Sequence, residues 1–230
     1  MRTAVGSLAL LISLSLATPA LSLTIDNFEA GPFSVTDVAP GPTFGQQAGL
    51  AASDVIGGVR LVRSNATNGG TTTNALVTTG SPDSAVFGFT DGAAPLGSGD
   101  VAYIYDGVAD SSSNGIGGTL NVDLSSFLSI DIESYGTPGI ASIQLTLWDG
   151  FGSQSSALTP TVNGINSFLL SSFGLVNLTD INSIRVAVFE LDPGDSLEIA
   201  HISAEVPEPT TGLLFALGLL GLGFRRSRSN

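Results

Sequence analysis

The 230-residue sequence predicts an all-β domain of two packed antiparallel sheets, flanked at both ends by segments that belong to export. Three observations carry that reading. Between residues 23 and 205, short apolar–polar alternations of period two recur, and no amphipathic helix of useful length interrupts them. Turn signals separate the runs at fairly even spacing, among them Asp91-Gly92, Asp106-Gly107, Asn163-Gly164 and Pro193-Gly194. Apolar residues make up 43 % of the chain, enough to fill a core, while 29 glycines supply turns.

Residues 1–22 have the three parts of a secretory signal helix. Arg2 gives a positive start, Leu8 to Leu16 an apolar stretch broken only by Ser13 and Ser15, and Pro19 ends the helix ahead of small residues. Export through the translocon follows. Cleavage after Ala20, with Thr18 at −3, and after Ser22, with Ala20 at −3, both meet the small-residue requirement, and the residues do not choose between them. The stretch falls well short of the roughly 20 residues that span a bilayer.

Within residues 23–205 the clearest strand puts Ile143, Leu145 and Leu147 on one face and Gln144, Thr146 and Trp148 on the other, and Asp149-Gly150 ends it. A second has Leu128, Ile130 and Ile132 inside, with Asp131 and Glu133 outside. A third sets Ile184, Val186 and Val188 against Arg185, Ala187 and Phe189. Further strands are expected at Leu23 to Phe28, Val59 to Arg63, Ala75 to Thr79, Ala85 to Thr90, Val101 to Tyr105, Leu120 to Leu124, Ser167 to Leu170 and Leu197 to Ser203. About eleven short strands fit a β-sandwich, with a partly open barrel as the alternative. No internal repeat supports a propeller or solenoid.

The last 25 residues, 206–230, have a different character. Val206-Pro207-Glu208-Pro209 leads through Thr210 and Thr211 into an apolar run from Gly212 to Phe224, and Arg225, Arg226 and Arg228 follow. Two prolines in three residues hold the chain extended. The apolar run is uniform around a helix and would rise only ~20 Å against a hydrocarbon core of roughly 30 Å, too little for a stable anchor. The arginines belong on the cytoplasmic side by the positive-inside tendency, which leaves residues 23–205 outside.

This order of Pro-Glu-Pro, short hydrophobic helix and terminal arginines resembles the PEP-CTERM sorting domain. The resemblance implies that Pro207, Glu208 and Pro209 are the recognition motif of an exosortase, a membrane transpeptidase-like enzyme that removes the tail after transient insertion in the inner membrane. It implies delivery to the cell surface, outer envelope or medium. Ser227 interrupts the arginine run and departs slightly from the pattern.

The order of the second half also resembles a known fold. Asp123-Leu124-Ser125 precedes the strand to Glu133, then come Ile143 to Asp149, and Leu178-Thr179-Asp180-Ile181 precedes the strand from Ile184. This is similar to the galactose-binding-type jelly roll that many carbohydrate-binding modules share, and Ile25-Asp26-Asn27-Phe28-Glu29 resembles their first strand. The resemblance implies a jelly-roll sandwich and a carbohydrate ligand.

Composition narrows the chemistry. The chain has no cysteine, hence no disulfide or thiolate chemistry. Residues 23–205 contain 19 acidic residues but only Arg60, Arg63 and Arg185 as bases, a formal charge of −16. Such a field repels nucleic acid and anionic lipid and attracts divalent cations. His201 is the lone histidine, which excludes metal sites built from several imidazoles, and no Gly-x-Ser-x-Gly elbow accompanies it. Its setting beside Ile199 and Ile202 reads as a half-buried strand histidine. Gly115-Ile116-Gly117-Gly118 lacks the third glycine and the following helix of a nucleotide loop. Asn65-Ala66-Thr67 and Asn177-Leu178-Thr179 match glycosylation acceptors by chance frequency.

Two features are candidate ligand sites. Asp106, Asp110, Ser112 and Asn114 in one loop, and Asp192, Asp195 and Glu198 in another, offer oxygens to calcium, although neither has helix-loop-helix calcium spacing and solvated hairpin turns are the simpler reading. No cofactor is required. Trp148 is the best candidate platform for a sugar ring, with Tyr103, Tyr105 and Tyr135 beside it if they share an exposed face; packing in the core is the competing role. The expected function is a non-catalytic surface or extracellular-matrix protein that binds extracellular polysaccharide. A structural or adhesive component acting through strand edges is the second reading. A glycan hydrolase with carboxylates about 5 to 10 Å apart is the third.

Overall fold

The computed structural model describes residues 22–37, 42–66, 71–78, 84–91, 99–108, 117–136, 141–191 and 196–206. The expected signal helix, the expected hydrophobic tail helix with Pro207, Glu208, Pro209, Arg225, Arg226 and Arg228, and the residues Asp110, Asp192 and Asp195 lie outside these. Ser22–Glu205 forms one compact unit.

Its strands are β1 (Ser22–Asp26), β2 (Phe33–Asp37), β3 (Thr43–Ala48), β4 (Val59–Ala66), β5 (Thr71–Thr78), β6 (Ser84–Asp91), β7 (Gly99–Tyr105), β8 (Ser129–Gly136), β9 (Ser142–Asp149), β10 (Gln154–Pro160), β11 (Gly164–Leu169), β12 (Ile181–Leu191) and β13 (Ser196–Glu205). They build two antiparallel sheets. A seven-stranded sheet runs β11-β8-β13-β6-β5-β2, with β1 also on β13; a six-stranded sheet runs β10-β9-β12-β7-β4-β3. Strand β13 is shared along one side: Ser196 to Ile199 pair with β6, and Ile202 to Glu205 pair with β1.

The core follows from side-chain parity. Ile143, Leu145 and Leu147 of β9, Ile184, Val186 and Val188 of β12, and Ile130 and Ile132 of β8 all pack into one cluster with no exposure. Leu128 differs from expectation: strand β8 begins at Ser129, and Leu128 lies just before it at the sheet margin, 49 % exposed. Leu120 to Leu124 forms no strand: Asn121 turns to φ of 52°, and the segment meets the start of β12 through the isolated bridge Val122 to Ile181. Three strands had no expectation, namely β2, β3 and β10. Each is a sheet edge.

One polar cluster sits inside this apolar interior and ties β1 to β4 and β7. Arg60 donates from Nε to Asp26 Oδ2 at 2.6 Å and from Nη2 to Asp26 Oδ1 at 2.5 Å, with neither side chain exposed. Asp26 also accepts from the Tyr105 hydroxyl at 2.9 Å and from the Phe28 backbone N–H at 2.8 Å. Arg60 continues to Gln47 Oε1 at 2.7 Å and lies over the Phe28 ring, 5.1 Å from its centroid. Phe28 adopts φ of 58°, a left-handed conformation rare for an aromatic residue, which turns its N–H back onto Asp26. Burial works against both charges. At Arg60 the hydrogen bonds and charge of Asp26 outweigh it and hold the guanidinium protonated.

Candidate functional site

The six-stranded sheet turns its second face away from the core, and parity sets what that face carries. On β4, Val62 points inward, so Leu61, Arg63 and Asn65 point out; on β7, Val101, Tyr103 and Tyr105 point inward, so Asp100, Ala102 and Ile104 point out. On β12 the outward set is Ser183, Arg185, Ala187 and Phe189, and on β9 it is Gln144, Thr146 and Trp148. In register, Arg185 faces Ile104, which faces Leu61, and Arg63 faces Ala102, which faces Ala187.

The middle of the face is apolar: Leu61, Ala102, Ile104 and Ala187 have no exposure. Two of these four, Ile104 and Ala102, stand directly opposite arginines, whose long aliphatic stems cover apolar neighbours while the heads stay polar. Around that middle sits a charged group. Arg63 Nη1 donates to Asp100 Oδ2 at 2.7 Å, and Asn65 Nδ2 donates to Asp100 Oδ1 at 2.7 Å, so both carboxylate oxygens are engaged. The pair is partly open, with side-chain exposures of 19 % for Arg63 and 11 % for Asp100.

Arg185 is different. Its Nε is buried without a hydrogen-bond partner, and its guanidinium carbon lies 6.0 Å from the Phe189 ring centroid. Burial depresses its pKa from the usual arginine value and the charge of Arg63 adds to this, while Asp100 opposes both. Beside it, the Ser183 hydroxyl is also buried and unpartnered. Both atoms lie beneath the surface, as do the unpartnered Asp106 Oδ2, Asp131 Oδ1, Thr161 Oγ1 and Asn182 Oδ1 elsewhere in the domain.

The residues singled out by sequence are scattered. Trp148 takes the predicted outward side of β9, but it is 7 % exposed, so the expectation of an open stacking platform is not met; in register it lies between Gln154 of the edge strand β10 and Ser183 of β12. Tyr103 and Tyr105 share the inward parity of Val101 and are fully buried, burial pushing both hydroxyls well above the ordinary tyrosine value. Tyr135 is exposed on the opposite sheet, where its hydroxyl donates to Glu133. The four aromatics therefore share no face.

Asp106 is the one candidate calcium ligand among β-turn acids that lies within the described residues together with Glu198. Its Oδ1 accepts from the Val108 N–H at 3.0 Å, whereas Oδ2 is buried and unpartnered. Glu198 belongs to β13 on the other sheet, paired in register with Tyr135. Among the described residues, no three His, Cys, Asp or Glu side chains converge on a point that suits a metal ion. His201 is a half-buried strand residue opposite Glu133, as expected.

Sequence reasoning missed the arginine arrangement, because Arg63 and Arg185 are 122 positions apart and meet only through the β4-β7-β12 pairing. The one available signal was the scarcity of bases in an acidic domain.

Comparison with known proteins adds two findings. Residues 205–228 match the PEP-CTERM protein-sorting motif. No curated protein matches the sequence. Among solved structures, the chain is similar to the family 11 carbohydrate-binding module of the cellulosomal cellulase Lic26A-Cel5E of Clostridium thermocellum, at 12 % identity and a TM-score of 0.39, over 83 % of this chain and 97 % of the module. A second structure of a family 11 module from that organism, in complex with a β-1,3-1,4-mixed-linked tetrasaccharide, gives 13 % identity and a TM-score of 0.39, over 81 % and 96 %. The arabinose-bound α-L-arabinofuranosidase MgGH51 gives 14 % identity and a TM-score of 0.37, over 84 % of this chain and 27 % of that enzyme. The chain carries a PEP-CTERM sorting motif immediately after the last strand of a two-sheet antiparallel β domain.

Proposed function

We propose that this is an exported protein, processed by an exosortase and delivered to the cell surface or extracellular matrix, whose jelly-roll-type sandwich binds extracellular polysaccharide without catalysis. The observation that carries the reading is the sorting motif at residues 205–228, which begins where β13 ends. An enzyme that must reach the motif needs it outside the folded body, and every core residue described lies between Ile25 and Ala204. The outward face of the six-stranded sheet, where the Arg63–Asp100 pair is partly open and Arg185 and Gln144 are half-buried, is the surface best suited to a sugar polymer.

Several carboxylates that a hydrolase would need are already occupied, which supports the non-catalytic reading. Asp26 is held by Arg60 and Tyr105, Asp100 by Arg63 and Asn65, and Asp149 by the backbone N–H groups of Phe151, Ser153 and Asn177. Intact-mass measurement of the protein recovered outside the cell tests the sorting. Loss of both the segment up to Ala20 or Ser22 and the tail after the Pro-Glu-Pro motif is expected; a chain retaining residues 212–230 in the medium would refute it.

A second reading rests on a separate observation. The edge strands β10 and β11 carry the exposed side chains Leu158, Ile165 and Leu169, the kind of surface through which sheets associate edge to edge. An adhesive component would assemble as its concentration rises. Light scattering that stays at the monomer value up to millimolar protein removes that reading.

A further inference from the structure

We propose that the outward face of the six-stranded sheet recognises the carboxylate groups of an acidic polysaccharide, a polymer bearing uronate residues, through Arg185 and Arg63. The proposal rests on the polysaccharide reading and names the chemical class of the polymer.

The distribution of positive charge carries it. Residues 23–205 hold three arginines and no lysine. Arg60 is spent inside the core on Asp26, so Arg63 and Arg185 are the domain's remaining cations, and both point out from the same sheet. They stand two strands apart and offset by two residues, which places their Cα atoms roughly 12 Å apart. That separation lets their heads approach a common ligand or successive units of one polymer. Arg63 gives Asp100 one of its five N–H donors, and among the described residues no carboxylate pairs with Arg185. The group of two arginines and one aspartate is therefore net positive in a domain of net charge −16.

A guanidinium presents a planar fork of N–H donors that matches a carboxylate in a two-point contact. Arg185 is half-buried, its pKa is depressed by burial, and it is short of the carboxylate partner that would stabilise its charge. A uronate supplies one. The half-buried Gln144 amide adds a donor and an acceptor suited to sugar hydroxyls on the same face.

The acidity of the domain as a whole does not veto an anionic ligand at this face, because several of the acids lie on the far sheet. Asp131, Glu133, Glu198 and Glu205 project from the outer side of the seven-stranded sheet. Sheets pack about 10 Å apart, so with side chains the two outer surfaces are on the order of 20 Å apart. Screening falls off over about 8 Å at physiological ionic strength, so the acidic face is felt weakly across the sandwich.

The test uses the Ser22–Glu205 unit, which closes its own core, in affinity electrophoresis and titration calorimetry. The probes are polygalacturonate, the same polymer fully methyl-esterified, a neutral β-glucan, a sulfated galactan and double-stranded DNA. Polygalacturonate should bind at least tenfold more tightly than its ester, and the preference should shrink as salt rises. Arg185→Gln should lose at least tenfold of the polygalacturonate affinity, with the melting temperature held within a few degrees, and Arg185→Lys should recover part of the loss. Equal binding of acid and ester, or no effect of R185Q, overturns the uronate assignment and leaves polysaccharide binding standing. Equal binding of DNA or of the sulfated polymer also overturns it, since any polyanion would then serve. Retention by none of the glycans removes the polysaccharide reading together with this one.

Discussion

Replacing Arg60 by methionine tests the role of the buried ion pair most sharply. The substitution leaves the Asp26 carboxylate in the core with two of its four donors, the Tyr105 hydroxyl and the Phe28 N–H. Removing one partner of a buried pair costs about 3–5 kcal/mol, mainly because the remaining charge is desolvated without compensation. The two surviving hydrogen bonds place the expected loss toward the lower end. For a domain of this size, about 2–4 °C of melting temperature accompanies each kcal/mol, so the R60M domain should melt roughly 6–20 °C lower. Thermal and urea unfolding followed by circular dichroism measure it.

A second variant separates charge from packing. Asp26→Asn with Arg60→Met removes the stranded charge, keeps an amide oxygen to accept from the Phe28 N–H and places an amide NH2 that can donate to the Tyr105 hydroxyl, and should recover at least about 1 kcal/mol of the loss. The Asp26 carboxyl is raised from 3.8, by burial first, with Arg60, Phe28 and Tyr105 pulling it back. A raised carboxyl favours the folded state when protonated, so the R60M deficit should narrow from pH 7 to pH 5, as the stranded group takes up a proton. An R60M domain within about 1 kcal/mol of the parent, or a double variant no better than the single one, would refute the reasoning.

Four further outcomes follow from other sites. Asp149 is held below its ordinary value of 3.8 by the Asn177 N–H first, then by Ser153 and Phe151; its contribution is present above 3.8 and lost as pH falls through the depressed value, so Asp149→Asn should cost about 1–2 kcal/mol at pH 7 and flatten the acid limb of the stability curve. A Cβ on Gly118 would stand 2.3 Å from the Asn182 carbonyl oxygen and 2.8 Å from Asp106 Cβ, so Gly118→Ala should destabilise by about 1–3 kcal/mol in chemical unfolding. The single tryptophan, Trp148, should emit at short wavelength and resist acrylamide quenching until the domain unfolds; a solvent-exposed spectrum would contradict its burial. The expectation of calcium at the Asp106 loop is tested by melting with calcium and with a chelator: a calcium-dependent rise in melting temperature that the chelator reverses would support it, and identical melts would remove calcium from the account.

How much of this was legible in the sequence depends on burial. Central strands such as β9 and β12 are covered on the core side, so their inward residues must be apolar and the alternation reads directly. Edge strands escape that constraint. Strand β10, Gln-Ser-Ser-Ala-Leu-Thr-Pro, places Leu158 outward beside Gln144 and only small residues toward the core, so its pattern carries no period-two signal. Strand β3 runs Thr-Phe-Gly-Gln-Gln-Ala for a related reason, since the Cβ absent from Gly45 would meet Val35 at 2.4 Å and Phe33 at 2.9 Å across the interface. Chemistry was less legible still. Trp148 could be assigned a side by parity but not an exposure, because exposure depends on neighbours that the strand itself does not encode.

The same parity that hides the site also explains how one strand serves both stability and recognition. On β4, Arg60 and Arg63 are three residues apart, an odd separation in a structure that repeats every two, so one must enter the core and the other must leave it. A slip of one residue would exchange them, driving Arg63 toward the core and bringing Arg60, parted from Asp26, to the outward face. The bidentate contact of Arg60 with Asp26 on β1 penalises that exchange, because only the native register delivers a guanidinium to the buried carboxylate. The ion pair thus adds to the apolar packing that sets which arginine reaches the surface. Its loss in R60M should then weaken polygalacturonate binding only through unfolding, and the surviving folded fraction should bind with unchanged affinity, since Val62, Tyr103 and Val186 still hold β4 against β7 and β12 in the same register.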